Sequence, residues 1–182
     1  MKGRWIWGLA LACFVLAAST GAYYRFSLVT RLPGVLDYIR HAHSHLMFFS
    51  WVTPPLILLI GADLARRGSR PRGFAATALV AAIGGLTTYW PFLKSGYHLT
   101  PFAGKLLPIS MLASGLNGLV WYVFAGLYVW ATWCKRRDAR LRLFDVAVTL
   151  MLTSTVAVGG LAYLGASGNI DRQVMLALVD WF

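Results

Sequence analysis

The stretch LDYIRHAHSHLMFFSWVTPPLILLIGADL, residues 36–64, decides the fold of this chain. It is long and apolar enough to cross a membrane as a helix, since such a span needs about 20 predominantly apolar residues. Near its start it carries Arg40, His41, His43 and His45, which include three of the four histidines in the protein. An arginine at the middle of a membrane helix costs roughly 2.5–3.5 kcal/mol on insertion scales, so polar groups here are candidates for function.

The composition is that of a polytopic membrane protein. Hydrophobic residues make up 58% of the chain and charged residues 13%, whereas a soluble domain has about 25% charged residues. The formal net charge is +11, from seventeen Lys and Arg against six Asp. In a soluble chain this charge would suggest nucleic acid, but here it indicates membrane orientation and attraction to anionic lipid head groups. We therefore expect the lipid bilayer as a partner, and no nucleic acid.

Apolar stretches predict an all-α, polytopic membrane helical bundle with five transmembrane spans in a single domain, residues 1–182. The spans cover about residues 5–23, 36–64, 74–92, 106–133 and 144–164. The first also fits a signal peptide, but its length and its aromatic anchors at both ends favour a retained span. Residues 171–182 begin like a sixth helix and stop after twelve residues. They form either an interfacial helix or part of a longer span that is cut short.

The basic residues predict the orientation of these spans, because Lys and Arg collect on the cytoplasmic side of a membrane. With five spans, one face receives eleven of the seventeen basic residues and the other receives six. The larger set comprises Lys2, Arg4, Arg66, Arg67, Arg70, Arg72, Lys135, Arg136, Arg137, Arg140 and Arg142. We therefore expect a cytoplasmic N-terminus and a multi-pass protein of the inner (cytoplasmic) membrane of the cell. All four histidines, including His98, then lie toward the outer face.

The spacing of the histidines selects a candidate site. At about 100° per residue, His41 and His45 lie on one helix face and His43 lies roughly opposite. Imidazole ligates metal ions and haem iron, so His41, His45 and Arg40 are the candidate cofactor-binding residues, with haem or copper as the cofactor. The candidate metal ligands are His41, His43, His45 and His98. Alternatively, the histidines are solvated among lipid head groups or bonded to a neighbouring span.

Other motifs are few. The chain has no phosphate-binding glycine loop, no nucleophile elbow and no HExxH, so no catalytic residue is assigned. The fourth span carries Ser110, Ser114, Asn117 and Trp121 at spacings that place them on one helix face. Small and hydroxyl side chains often serve helix packing in membranes, but a buried amide such as Asn117 needs a hydrogen-bond partner.

Residues 38–51, YIRHAHSHLMFFSW, resemble the second transmembrane segment of haem-copper oxidase and nitric-oxide reductase catalytic subunits. The matching elements are Arg40, the histidines and the run from Leu46 to Trp51. The resemblance implies that a histidine of this span ligates a low-spin haem and that the arginine meets a haem propionate. The copper ligands and the second haem-ligating histidines of that family have no counterpart here. Oxygen reduction by this chain alone is therefore not expected.

Three functions remain open at this point. The first is a haem- or copper-binding membrane protein in respiratory or nitrogen-oxide metabolism. The second is a non-catalytic membrane subunit or assembly partner, whose histidines shape an interface with other membrane subunits. The third is a transporter for a metal ion or small solute, for which a second broken helix or an internal repeat is typical.

The predicted topology can be tested by cysteine accessibility. We expect a cysteine placed between Arg66 and Arg72 to react with an impermeant thiol reagent only from the cytoplasmic side, because four arginines hold this loop there. A cysteine at Lys105, in a background without Cys13 and Cys134, serves as the control and should react from outside. Labelling of the arginine loop from outside would contradict the orientation.

Overall fold

The structure, a computed structural model, describes residues 2–30 and 32–167 of the chain. The helices are α1 Lys2–Thr30, α2 Leu36–His45, α3 Thr53–Arg66, α4 Phe74–Ser95, α5 Ile109–Thr132 and α6 Ala139–Ser167. A π-helical segment, Leu46–Val52, joins α2 to α3. Between α4 and α5, strand β1 (Thr100–Phe102) pairs antiparallel with β2 (Lys105–Leu107).

Within the described residues, four helices are long and apolar enough to cross a membrane, as expected of an integral membrane protein. They are Gly3–Thr30, Leu36–Arg66, Phe74–Ser95 and Ile109–Thr132. The helical class is thus confirmed, and four of the five predicted spans coincide with helices that could cross a membrane by their length and composition. The fifth predicted span, residues 144–164, lies inside α6, and its membrane crossing stays a prediction, as does the orientation of the N-terminus. Residues 171–182 lie outside the part of the chain that the structure describes.

Helix α1 is longer than its sequence predicts, because it continues from Tyr23 to Thr30. The hydroxyls of Ser27 and Thr30 donate to the carbonyls of Tyr23 and Phe26, at 2.7 and 2.8 Å. These two hydroxyls therefore find their hydrogen-bond acceptors within the helix itself. Pro33 follows, and a proline both lacks an N–H and disfavours helical geometry in the residue before it.

The chain divides into two compact units, residues 1–132 and 133–182. In the first unit α4 is the central helix, since it packs against α1, α2, the π-helical segment, α3 and α5. In the second unit the carboxylate of Asp138 accepts the backbone N–H of Leu141 at 2.9 Å, near the start of α6. The single domain expected from the sequence stays a prediction.

The π-helical segment arises just before two prolines. Pro54 and Pro55 have no N–H, so the carbonyls four residues before them lose the donors that an α-helix would supply. The chain widens here instead of breaking: the N–H of Thr53 donates to the carbonyl of Phe48, five residues back. The hydroxyl of Thr53 donates to the same carbonyl at 2.7 Å. A π-helical turn of this kind is frequent at functional sites.

The π-helical segment and α4 approach each other closely at a glycine. The hydroxyl of Ser50, which is fully buried, donates to the carbonyl of Ala82 at 2.7 Å. A Cβ added to Gly85 would lie 2.8 Å from the Cβ of Phe49 and 2.9 Å from the backbone nitrogen of Ser50. Only a residue without a side chain therefore fits at position 85.

We expect Gly85→Ala to destabilise the protein by about 1–3 kcal/mol, the usual cost of overpacking a tight contact. Gly118→Ala is the matched control, because a Cβ at Gly118 would meet nothing within 4 Å. The comparison is made by thermal unfolding of both variants in the same detergent. A Gly85→Ala protein as stable as the Gly118→Ala protein would show that the two helices do not approach this closely.

Candidate functional site

His41 and His45 of α2 face α4 and α5 in the first unit. His41 and His45 both lie against the ring of Phe92, with ring centroids 6.2 and 4.2 Å away. Their spacing of one helical turn therefore places them on one face, as the helical period predicts. We call these two residues the histidine pair.

His45 is held by rings and by a hydroxyl. Its ring stacks on Phe92, at an interplanar angle of 14°, and is nearly parallel to Phe49, with centroids 5.8 Å apart. Its Nδ1 lies 3.3 Å from the Oγ of Ser114 on α5. Within residues 2–30 and 32–167, no group bonds to its other ring nitrogen, Nε2. His45 therefore has a fixed ring orientation and one nitrogen left for a ligand.

His41 lies one turn nearer the start of α2, next to Tyr97 of the loop that follows α4. Its Nδ1 is 3.4 Å from the hydroxyl of Tyr97, and the two rings meet edge to face with centroids 4.6 Å apart. Partial burial raises the pKa of Tyr97, whose side chain is half exposed, and the nearby charge of Arg40 partly opposes the shift. Arg40 itself pairs with Asp37 at 3.2 Å, where both side chains are largely exposed.

His43 points away from the pair and fastens α2 to α1. Its Nδ1 lies 2.8 Å from the carbonyl of Ala17 and, because a carbonyl only accepts, Nδ1 carries the hydrogen. Its ring lies on Gly21, where an added Cβ would come within 2.7 Å of the ring carbon Cε1. The sequence predicted the direction of His43 but gave no sign of this packing role.

His98 lies apart from both of these arrangements. It is exposed in the loop after α4, where its ring meets Tyr38 at a centroid distance of 5.8 Å. Among the described residues, no group of three or more His, Cys, Asp or Glu side chains lies close enough to hold a metal ion. The structure thus brings His41 and His45 together, without His43 or His98, and the four-histidine metal site stays a prediction.

The polar face predicted for α5 is turned toward the neighbouring helices. Ser110 donates to the carbonyl of Gly96, Ser114 lies at His45, and the indole N–H of Trp121 donates to the hydroxyl of Thr53 at 3.1 Å. These contacts join α5 to α2, to α3 and to the loop after α4. They confirm that the spacing of the polar residues marks a buried face.

Asn117 is the exception on that face. It is 4% exposed and lies against Gly84 of α4. Neither the oxygen nor the nitrogen of its amide has a hydrogen-bond partner among the described residues. The partner that the sequence analysis expected is therefore not found there. A buried polar group left unpaired costs about 1–3 kcal/mol. Asn117, one turn after Ser114 on α5, therefore has an amide that can still donate and accept hydrogen bonds.

Sequence reasoning missed the aromatic surroundings of the histidine pair. Phe49 lies four residues after His45, so its position on the same face had a signal in the helical spacing. Phe92 belongs to another helix, and no pattern within the sequence pairs it with His45. Tyr97 precedes His98, and the predicted topology placed His98 on the same membrane face as the other histidines.

We expect Tyr97 to ionise at a higher pH than an ordinary tyrosine, whose pKa is about 10. The folded state favours the neutral phenol, so the stability that Tyr97 contributes is complete below pH about 10 and is lost as the pH rises through the raised pKa. The difference in tyrosinate absorbance between the wild type and Tyr97→Phe measures that pKa. Arg40→Gln should raise it further, since the charge of Arg40 favours the phenolate. A Tyr97 pKa of about 10 in both the wild type and Arg40→Gln would contradict the packing described here.

Comparison with protein-family models, with curated proteins and with solved structures gives no match to this chain. The likeness to haem-copper oxidase and nitric-oxide reductase subunits therefore rests on residues 38–51 alone. Any function carried over from that likeness is a proposal, and it depends on the geometry of the histidine pair.

Proposed function

We propose that this protein binds haem at the histidine pair, with His45 as the axial ligand, and acts in respiratory or nitrogen-oxide metabolism. The observation that carries the proposal is the setting of His45. Its ring orientation is fixed by Phe92, Phe49 and Ser114, while Nε2 has no partner among the described residues. Histidines that ligate metals almost always give their other ring N–H to an oxygen acceptor, which fixes the tautomer. Ser114 is placed to be that acceptor.

Haem is favoured over copper by the number of ligands available. Haem iron can be held by one or two axial side chains, because the macrocycle fills the other positions. A copper ion held by protein alone needs several ligands, as in the His₂Cys trigonal sites. Within the described residues no third histidine, cysteine or carboxylate joins the pair. Copper is therefore the second candidate, and it would need ligands from a partner subunit.

Arg40 suits an anionic group at the edge of the cofactor. It precedes the histidine pair on α2 and is half exposed. Its partner Asp37 is more exposed still, and an exposed pair of this kind is worth at most about 1 kcal/mol. A propionate can therefore compete with Asp37 for the guanidinium, and bidentate pairing with carboxylates is a strength of arginine.

The proposed setting is the inner (cytoplasmic) membrane, with five spans, a cytoplasmic N-terminus and the histidine pair toward the outer face. The bias of basic residues supports this orientation. No catalytic role is proposed for the chain alone, since a second haem site and a copper site would have to come from other membrane subunits. The protein then serves as a haem-binding subunit, sensor or assembly partner.

The test is to express the protein with haem and copper available and to measure bound cofactor after purification. We expect a Soret band in the wild type and its loss in His45→Ala. Ser114→Ala should weaken haem affinity by about 10–100-fold, the usual cost of losing the group that orients a ligand. Arg40→Gln should weaken retention without abolishing it.

His43→Ala is the matched control. It should keep the haem while unfolding at a lower temperature, because it loses a hydrogen bond worth about 0.5–1.5 kcal/mol to the carbonyl of Ala17. Bound copper in place of haem would favour the second candidate. A wild type without either cofactor, or equal retention in His41→Ala, His43→Ala and His45→Ala, would show that the histidines serve packing or a subunit interface instead.

A further inference from the structure

A cavity lies on the other side of α2 from the histidine pair. It has a volume of about 430 Å³, which is within the range of about 300–1,000 Å³ typical of small-molecule sites. Its walls come from α1, from the turn before α2, from Ile39 and from the end of α4. Ile39 lies one turn before His43, so the cavity shares the α1 side of α2 with His43. The walls from α1, α2 and α4 belong to candidate membrane spans, while Pro33, Gly34 and Val35 lie between two of these spans, so the cavity is within reach of a molecule dissolved in the lipid.

Two buried hydroxyls form the polar part of the wall. Thr20 is 7% exposed and Tyr89 is 5% exposed, and their oxygens are 2.8 Å apart. The hydroxyl of Thr20 also donates to the carbonyl of Leu16 at 2.8 Å. Because a hydroxyl has one hydrogen, Thr20 cannot donate twice, so Tyr89 is the donor to Thr20. The oxygen of Tyr89 is then left with lone pairs and no hydrogen to give.

The remaining side-chain hydroxyls of the wall also donate their hydrogens within the protein. Tyr23 donates to the carbonyl of Pro33 at 2.6 Å, and Ser19 donates to the carbonyl of Val15 at 2.8 Å. Every side-chain hydroxyl that lines the cavity thus gives its hydrogen to a backbone carbonyl or to another hydroxyl. The side chains of the cavity offer acceptors only, and the rest of their surface is apolar, from Val35, Ile39 and Leu93.

We propose that this cavity binds a membrane-dissolved amphiphile that carries a hydroxyl group, such as a long-chain alcohol or a polycyclic lipid alcohol. The ligand hydroxyl donates to the oxygen of Tyr89, and its apolar body lies against Ile39 and Leu93. Ionised carboxylate and phosphate head groups have no hydrogen to donate to Tyr89, so the side chains of the wall favour a hydroxyl over them. The site is separate from the histidine pair, so it does not depend on the proposed haem.

The test uses the full chain in lipid nanodiscs and two photoreactive probes, a diazirine-bearing hexadecanol and its methyl ether. The ether keeps the size and apolar body of the alcohol and lacks its donor hydrogen. We expect the alcohol to label the segments 19–23 and 89–93 about fivefold more than the ether does, the factor expected for one hydrogen bond. Ser19→Trp, which fills the cavity from its exposed rim, should abolish labelling of these segments by both probes.

Tyr89→Phe tests the hydrogen bond itself, and we expect it to reduce alcohol labelling to the level of the ether. Thr77→Val is the matched control, because Thr77 is a buried hydroxyl of α4 that does not line the cavity. Equal labelling by the two probes in the wild type would overturn the proposal, as would a preference for the alcohol that survives Tyr89→Phe. If Tyr89→Phe does not fold, the wild-type comparison and Ser19→Trp decide the question, and labelling unchanged by Ser19→Trp would also overturn it.

Discussion

The close approach of the π-helical segment to α4 is the contact on which the first unit depends. Two prolines deprive the helix of backbone donors, and inside a membrane each unsatisfied backbone group costs several kcal/mol. The helix widens into a π-helical turn at this point, and Ser50 packs against α4, where its hydroxyl donates to the carbonyl of Ala82. Gly85 makes room for this approach. His45 is the last residue of α2 before this segment, so its stacking on Phe92 of α4 lies next to the close approach.

The π-helical segment also limits what the sequence predicts. The pairing of His41 with His45 follows from the helical period because both residues lie in α2, before the segment begins. The beginnings of α2 and α4, at Leu36 and Phe74, agree with the spans read from the sequence. Past the segment a single period of 3.6 no longer relates α3 to α2, so the sequence does not show that Thr53 of α3 is turned toward α5, where Trp121 donates to it. The sequence shows two prolines, which predict a kink as readily as a widened turn.

Contacts between helices were the other part that could not be predicted. The polar face of α5 was visible as a spacing, since Ser114 and Asn117 lie three residues apart. Ser114 contacts His45, and Asn117 contacts Gly84. Both contacts depend on how α5 is rotated about its own axis, and the sequence is compatible with more than one rotation. For the same reason His43 had a predicted direction and no predicted partner. A pattern within one helix fixes which residues share a face, and only the packed structure fixes what that face meets.

The histidines of α2 therefore divide between two tasks that the structure separates in space. His43 bonds to a backbone carbonyl of α1 and lies on Gly21, so it holds two helices together. His45 rests against aromatic rings and a hydroxyl, contacts that orient the ring while its Nε2 stays without a partner among the described residues. Since His43 anchors α2 from the α1 side, a ligand at His45 would meet a helix that is already positioned. Preorganisation of this kind lowers the cost of binding. His43, which points away from the proposed haem site, would thus support that site by holding α2 in place.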